Sequence, residues 1–518
     1  MDLRSNEPHA LGLQDITLIQ MCKKNNSWLR LAGRTFGLFA VACILCLAAC
    51  SDDDASGPLP VITWNMSGAR FKVFEGEVLS LVPDVANTDE TTQYLWLREG
   101  TAVGTADNYS FCEEHAGEYY ILFRVSNRFG TAEDELKVTV VERIGGKTDS
   151  IPDNDSVFAW RWPFTEMNIP VGRSIRLTPY CVENADGATY LWADNGTPVA
   201  GTMDYVFTAS EQGLHTLTLT LSIDTFQVSQ DILLRVCPPA GTYRREATTR
   251  SQQMVTRIFE FVPAPGHQVN GYRLTGDAFP ANCSHEEACD TVLQHFLRGW
   301  STSLGACGGY LVAGFDHSVA VSGNYDLCIK GNPFDYQSEP GIIYVSQDVN
   351  GDGLPNDIWY ELAGSEYGTE SHTTDYAVTY YRPSQPNSAT VWKDNKGGRG
   401  EIPYMSYWNP NPYYWQDWID GSEKTYFGSC LASHVSYSGG ISDLPPYPWG
   451  YADNLGSDYR NGTLGRMGYY KVENARTWDG QPAALEYFDF VKVQTAITGA
   501  TPNLGEASTE VYGIFTTE

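Results

Sequence analysis

Short segments of alternating apolar and polar residues run through most of the chain. From about Val61 to Glu142 come RFKVF, VLSLV, QYLWL, EYYILFRVS and ELKVTVV, separated by turn residues. Alternation with a period of two puts one set of side chains on a buried face, so these segments predict the strands of a small β-sandwich. The pattern then returns. Gly76, Leu81, Pro83, Tyr94-Leu95-Trp96, Phe111, Gly117 and Val140 recur as Gly172, Leu177, Pro179, Tyr190-Leu191-Trp192, Phe207, Gly213 and Val236 (172 − 76 and 236 − 140 both give 96). A constant offset over this span means two copies of one domain without net insertion. The YLW tryptophans sit where an Ig-like sandwich buries its strand tryptophan. Cys112 has no cysteine partner in its own copy, whereas Cys181 and Cys237 are the pair available for a disulfide in the second.

After Cys237-Pro238-Pro239 the texture changes to one large domain, about 243 to 518, rich in Gly, Tyr and Trp. Ser284–Trp300 reads as its one helix, with Ser284 as N-cap, Glu286 and Glu287 in the first turn, and Val292 and Phe296 on one face. The rest reads as strands joined by long aromatic loops, which suggests a sandwich or jelly roll. In GIIYVSQDVNGDGLPNDIWYELAGSEY (341–367), the apolar runs Ile342–Ser346 and Ile358–Leu362 flank an acidic turn, as in a hairpin. Oxygen donors at every second position followed by Gly match the opening of a calcium loop, in which Gly permits the bend that aims hard oxygens inward. The ligand set read for a structural Ca²⁺ is Asp348, Asn350, Asp352, Leu354, Asn356 and Asp357. Trp359 stands where an EF-hand has its bidentate Glu, so Asp357 or Glu361 has to substitute; a solvated hairpin that binds no ion is the alternative.

A formal net charge of −29 argues against nucleic acid and against electrostatic docking on anionic lipid. At the N-terminus, Lys23, Lys24, Arg30 and Arg34 precede the apolar run Thr35–Ala49, which ends in LAAC at Cys50. That is a secretory signal, too short to span a bilayer comfortably. Some twenty residues precede the basic run, which is long for a signal and points to Met21 as the true start. Lipidation of Cys50 would make the membrane contact through acyl chains alone. Ser51-Asp52-Asp53-Asp54 and a Pro/Gly linker follow, to about residue 60.

Three further features bear on function. PYMSYWNPNPYYWQDWID (403–420) crowds rings without strand alternation, so some should face solvent and stack on a flat, partly apolar ligand. Trp408, Tyr413, Tyr414, Trp415 and Trp418 are the candidates, with Trp449 in YPWGY as a second wall; the bland reading is that the rings cover a sheet edge. In GFDHS, Asp316 and His317 are adjacent on a strand and point to opposite faces, which suggests a structural Asp and a surface His. Glu339 and Asp453 are loop carboxylates that would serve a glycosidase if they stood about 5–10 Å apart across a cleft. No nucleophile elbow, HExxH or zinc-spaced Cys/His cluster is present, and no residue is assigned as catalytic.

LAAC resembles a bacterial lipobox, SDDD resembles an acidic export tag, and the two repeats resemble PKD-like modules. Together with GGYLVAGFDHS, GNPF, SEPGIIYVSQDVNGDGLPNDIWYELAGSEY, DYAVTYYRP, WGYADN and FVKVQT, they make the chain similar to a family of cell-surface lipoproteins associated with TonB-dependent outer-membrane uptake. The resemblance implies capture, outside the cell, of a cobamide (a vitamin B12-type corrinoid) or a glycan, and handover to a transporter. The expected architecture is all-β: a signal peptide (1–50), a linker (51–60), two tandem Ig/PKD-like sandwiches (61–142 and 156–238), and a larger jelly-roll-like domain (243–518) with one short helix. A secreted glycan hydrolase and an adhesive or structural surface protein are the alternatives.

Overall fold

The computed structural model describes residues 57–64, 70–74, 78–141, 151, 159–183, 185–223, 226–269, 279–280, 282–405, 413–438, 441–501 and 505–517. Cys50 and the leader lie outside the described residues. Residues 57–518 form one compact unit, and its fold is all-β with one α-helix among the described residues.

The repeat is visible strand by strand. In the first copy Arg70–Phe74, Gly130–Val141, Gly117–Asn127, Gln93–Arg98 and Thr101–Gly104 line up in that order in one sheet. In the second copy the order is Glu166–Pro170, Phe226–Cys237, Gly213–Ile223, Thr189–Asp194 and Thr197–Ala200. Even the register is shared: Gly117 faces Val140 and Gly213 faces Val236, while Arg70–Phe74 pairs in parallel with Gly130–Val141 and Glu166–Pro170 with Phe226–Cys237. A short two-stranded sheet forms the second layer, Leu79–Leu81 with Tyr109–Phe111 and Ser174–Leu177 with Tyr205–Thr208. Between the layers Trp96 and Trp192 are fully buried, each indole donating to a backbone carbonyl, Ala106 O at 2.9 Å and Met203 O at 3.2 Å. That satisfies the one polar atom of an otherwise apolar ring.

The C-terminal domain opens on a six-stranded antiparallel sheet: Arg257–Val262, Tyr310–Ala320, Tyr487–Thr495, Gly341–Ser346, Trp359–Leu362 and Ala475–Arg476. A second sheet of Arg399–Ile402, Thr390–Asp394, His372–Tyr381 and Glu423–Leu431 packs its Val378, Tyr380 and Tyr426 against Val262, Ala264 and Cys307. The helix runs His285–Arg298. Ser284 caps it in a reciprocal box, its hydroxyl accepting from Glu287 N at 3.2 Å while the Glu287 carboxylate accepts from Ser284 N at 2.9 Å. Gly299, in the left-handed region, ends it.

The two repeats differ in how they join the rest. The core of the second is continuous with that of the C-terminal domain, whereas the first keeps a core of its own. Asn168 extends a strand of the second repeat onto the acidic hairpin, where Asn168 N donates to Asn356 O at 2.9 Å and Ile358 N donates to Asn168 O at 3.1 Å. Arg161 pairs with Glu423 at 2.5 Å, Lys393 with Glu183 at 2.7 Å, and Arg176 with Asp375.

The Cys181–Cys237 pairing that the sequence leaves open is not formed. Both thiols are free, at positions on different strands, with Cys181 on a strand paired to Ala159–Arg161 rather than beside Phe226–Cys237. The close pair is Cys307 and Cys430, buried with their sulfurs 3.9 Å apart. Oxidised glutathione should convert these two thiols to a disulfide, with two electrons and two protons passing to the glutathione. Mass spectrometry of a non-reducing digest should then find the 307–430 crosslink, and the urea midpoint should rise by the equivalent of about 2–4 kcal/mol. Two intact thiols after oxidation would sink this expectation.

Candidate functional site

The acidic hairpin forms as its flanks predict, with Val345 opposite Tyr360 and Ser346 opposite Trp359. The side-chain oxygens of Asp348, Asn350, Asp352 and Asn356 are occupied locally. Asp348, buried, accepts from Gly351 N at 2.7 Å and from Gly353 N at 3.0 Å. Both glycines have φ near +75°, a conformation other residues adopt only with strain. Asp352 accepts from Leu354 N and from the amides of Asn350 and Asn356. Asn356 Oδ1 in turn accepts from the Asn168 side chain at 2.7 Å. Leu354 is exposed and Asp357 is buried. Of the six residues read as calcium ligands, Asn356 and Asp357 thus carry the docking contact with the second repeat. Among the described residues, the carboxylates that gather within 4.8 Å of one another belong to a different group.

That group is Glu339, Asp453 and Glu510, all buried. Backbone donors fix it: Ser508 N to Glu339 Oε1 at 2.8 Å, Asn332 N to Asp453 Oδ1 at 2.7 Å, and Glu510 N to Asp453 Oδ2 at 2.9 Å. Gly331 is required here, because a Cβ at that position would overlap the Asp453 carboxylate. Burial pushes Asp453 up to about 7. Burial, and then the neighbouring carboxylates, hold Glu339 and Glu510 well above the ordinary carboxylate range. The sequence-level pairing of Glu339 with Asp453 is therefore realised, but inside the protein and not across a cleft. Glycosidic chemistry needs both groups open to a sugar, and this pair is closed to one.

The aromatic loop is largely core. Tyr414 and Trp415 are buried and bonded within the loop itself: Tyr414 Oη accepts from Met405 N at 2.8 Å, and Trp415 Nε1 donates to Ile419 O at 3.0 Å. Trp418 donates to Phe261 O at 2.9 Å and packs on Phe261 and Phe279. Tyr413 is half-buried against the same cluster, and Trp408 lies outside the described residues. Trp449 is exposed, at 39%, while its neighbours Tyr447 and Tyr451 are buried. The rings turn inward because the loop folds over the sheet pair, where Tyr404, Tyr414 and Trp415 complete a core that the strands alone leave open. His317 is likewise the reverse of its sequence reading. It is buried and its Nδ1 meets the exposed Asp316 Oδ1 at 2.7 Å, so the two residues do differ in exposure but with the sides exchanged.

An open concavity lies elsewhere, between the second repeat and the C-terminal domain. It is a cleft of about 730 Å³, within the roughly 300–1,000 Å³ usual for small-molecule sites. Trp162, Phe164, Arg176 and Tyr180 line it from the repeat; Asp357, Tyr360, Phe427, Trp478 and Lys492 line it from the other side. Lys492 sits over the Tyr310 and Tyr344 rings, at 4.4 and 5.2 Å, and burial draws it down to about 8 against the pull of Glu260. Tyr310 donates to Glu260 at 2.7 Å. Three buried polar atoms of the lining, Trp162 Nε1, Tyr360 Oη and Asp357 Oδ2, have no hydrogen-bond partner. Each such orphan costs about 1–3 kcal/mol unless something supplies its partner. Burial, followed by the Asp348 charge, pushes Asp357 up to about 9, so it holds its proton at neutral pH. Sequence alone does not reach this site: its walls come from segments some two hundred residues apart, and the hairpin motif that supplies Asn356 and Asp357 does not announce the repeat that faces it.

The fold and cleft define a multidomain all-β protein with tandem Ig-like sandwiches. Both sandwiches match the PKD-like domain family, at residues 59–127 and 163–223. Among solved structures, the chain is similar to the titin domains Z1Z2 in complex with telethonin (12% identity, 35% of this chain and 98% of that one, TM-score 0.14). It is also similar to fibronectin(III)-like modules of Clostridium thermocellum CbhA (10% identity, 36% and 100%, TM-score 0.16) and to the N-terminal four Ig domains of a Dscam1 isoform (14% identity, 34% and 46%, TM-score 0.14). At these scores they add nothing to the match with the PKD-like family. No curated protein matches the sequence.

Proposed function

We propose that this is an exported cell-surface protein with an adhesive or structural role, anchored by lipid on Cys50 and facing the cell exterior from the outer membrane. The observation that carries the reading is the tandem pair of PKD-like domains, which suit a module that holds a larger domain away from the envelope. The leader, lipobox-like LAAC and acidic SDDD support export and anchoring. Matched strains with and without the chain test it. Loss of attachment or of envelope integrity should be restored by the wild-type chain and not by Cys50→Ala. Unchanged attachment together with unchanged detergent sensitivity would overturn it.

The cleft favours a second reading, in which the surface protein captures a cobamide or a glycan and passes it to a TonB-dependent transporter. Its size and aromatic lining are the support. A structural Ca²⁺ in the hairpin would, on either reading, stiffen the loop that docks the second repeat.

A further inference from the structure

We infer that the cleft between the second PKD-like domain and the C-terminal domain binds an organic acid, a single carboxylate on a flat aromatic body, with the Lys492 ammonium as its counter-charge. Such a ligand lies outside the cobamides and glycans of the capture reading, so the site stands or falls apart from it. One row of residues crosses the six-stranded sheet beneath the cleft. Glu260 faces Val312, Val312 faces Lys492, Lys492 faces Tyr344, Tyr344 faces Glu361, and Glu361 faces Arg476. Directly opposed residues project from the same face of a sheet, and all six line the cleft.

Four of the six are charged, and three of those are engaged. Glu260 accepts from the Tyr310 hydroxyl at 2.7 Å, Glu361 from His372 at 2.8 Å and the Ser429 hydroxyl at 2.6 Å, and Arg476 donates to the carbonyls of Glu473 and Ala475. Lys492 is the exception. Among the described residues it makes no hydrogen bond or ion pair, and its ammonium lies over the faces of the Tyr310 and Tyr344 rings. It is half-buried, and with a pKa of about 8 it stays mostly charged at neutral pH. An ammonium that has lost part of its water without gaining an acceptor favours any anion that reaches it. Arg173 and Lys424, half-buried in the same lining, also have no ion pair among the described residues; Arg173 rests over the Tyr360 ring at 5.7 Å. Of the other charged groups, Arg176 and Asp375 pair with each other and Asp357 is buried, which leaves Glu166 as the exposed, uncommitted carboxylate. Three uncommitted cations against one such carboxylate reverse the local sign in a chain of net charge −29.

The same row selects the kind of anion. Glu260 and Glu361 stand two strands to either side of Lys492, roughly 10 Å away at the ordinary strand spacing. One carboxylate fits over Lys492 between them, whereas a phosphate dianion meets the repulsion of both. The body of the ligand then lies against rings that keep open surface: Phe164 and Phe427, half-buried, and Trp478, exposed. Ring faces of that kind stack on a flat aromatic group.

The test is calorimetric titration of the full chain with 2-naphthoate and indole-3-acetate, each beside its neutral amide, with phenyl phosphate and cyanocobalamin in parallel. At least one acid should bind at a single site, tenfold or more tighter than its amide. Lys492→Met, which keeps the apolar stem and deletes the charge, should remove about that tenfold preference. Its melting temperature should hold or rise, because it removes a half-buried charge without a partner. Lys424→Met is the second variant and should weaken the acid a few-fold. Acid and amide bound alike, or acid binding that neither variant weakens, would overturn the anion site. Phenyl phosphate bound more tightly than either acid would overturn the carboxylate. Silence from both acids would overturn the inference outright, and cyanocobalamin bound in that case would leave the capture reading standing alone.

Discussion

Replacing Trp192 with Ala should unfold more than the domain it belongs to. The indole is fully buried, meets Trp162 edge-on at 5.7 Å and Tyr205 at 5.7 Å, and donates to Met203 O. Truncating a buried tryptophan costs about 3–5 kcal/mol, through lost transfer energy and the cavity left behind. The first repeat offers an internal control. Trp96 holds the same position one offset earlier, equally buried, against Phe123 at 4.3 Å and Tyr109 at 5.5 Å. Trp96→Ala should carry a similar cost, but its cluster is separate from the larger core and meets the C-terminal domain through Tyr437, so the damage should stay within residues 57–141 and the short Ser436–Ser438 strand. Trp192 belongs to a core that runs on into the C-terminal domain, so its loss should loosen that domain as well. Hydrogen exchange read by mass spectrometry distinguishes the two. Trp192→Ala should raise exchange in Tyr310–Ala320 and Trp359–Leu362, and Trp96→Ala should not. Exchange confined to the second repeat in the Trp192 variant would show the two domains to be energetically independent, whatever their packing. For the same reason a fragment beginning near residue 240 would expose the face that the second repeat covers, and binding is better measured on the full chain.

The contrast between repeats and site shows what sequence carries and what it does not. A repeat is legible because each copy must bury the same positions. Leu81, Trp96, Phe111 and Val140 and their counterparts at +96 are all buried, and the constant offset exposes them without any structure. The helix is legible through its cap, since Ser284 and Glu287 make contacts three residues apart. The hairpin is legible through its turn formers. Ring density, by contrast, does not say which way rings face. In Tyr404–Trp418 the local composition suggests an exposed platform, while the fold uses Tyr404, Tyr414 and Trp415 to fill the gap between two sheets. The cleft is illegible for another reason. Trp162 acquires a role only beside Tyr360 and Asp357, and nothing in the chain announces that Asn168 will dock on Asn356. Glu339 and Asp453 fall between these cases. Sequence singles out both as loop carboxylates, yet Glu510 and the burial of all three come from the fold.

That burial gives the second large effect, a stability that falls as pH rises. Asp453 is lifted from its ordinary value near 4 to about 7, and Glu339 and Glu510 are held well above theirs, by burial and by one another. Between those limits the folded protein holds protons that the unfolded chain releases. Stability is therefore full below about pH 4 for these groups and is lost progressively as pH climbs through 7 and beyond. Glu339→Gln should relieve the strain. Its amide oxygen can still accept from Ser508 N, as Glu339 Oε1 does, and its NH₂ supplies the neighbouring carboxylates with a donor at every pH. Urea unfolding at pH 5, 6.5 and 8, with EDTA present so that no divalent cation neutralises the cluster, gives the comparison. The wild-type protein should weaken steadily across the series, and the variant should lose much less. By pH 8 the variant should be the more stable by on the order of 2–3 kcal/mol, since a tenfold change in proton affinity between the folded and unfolded chain is worth about 1.4 kcal/mol before solvent relaxation is allowed for. Asp453→Asn is the instructive opposite. Both Asp453 oxygens accept backbone N–H groups, from Asn332 and Glu510, and an amide can accept only one of them. That variant should be destabilised at every pH by about 1–3 kcal/mol, the cost of one buried donor left facing another. If Glu339→Gln and the wild type ran parallel from pH 5 to 8, the cluster would not titrate in this window, and its charge would have to be met by a group of the protein not yet placed beside it.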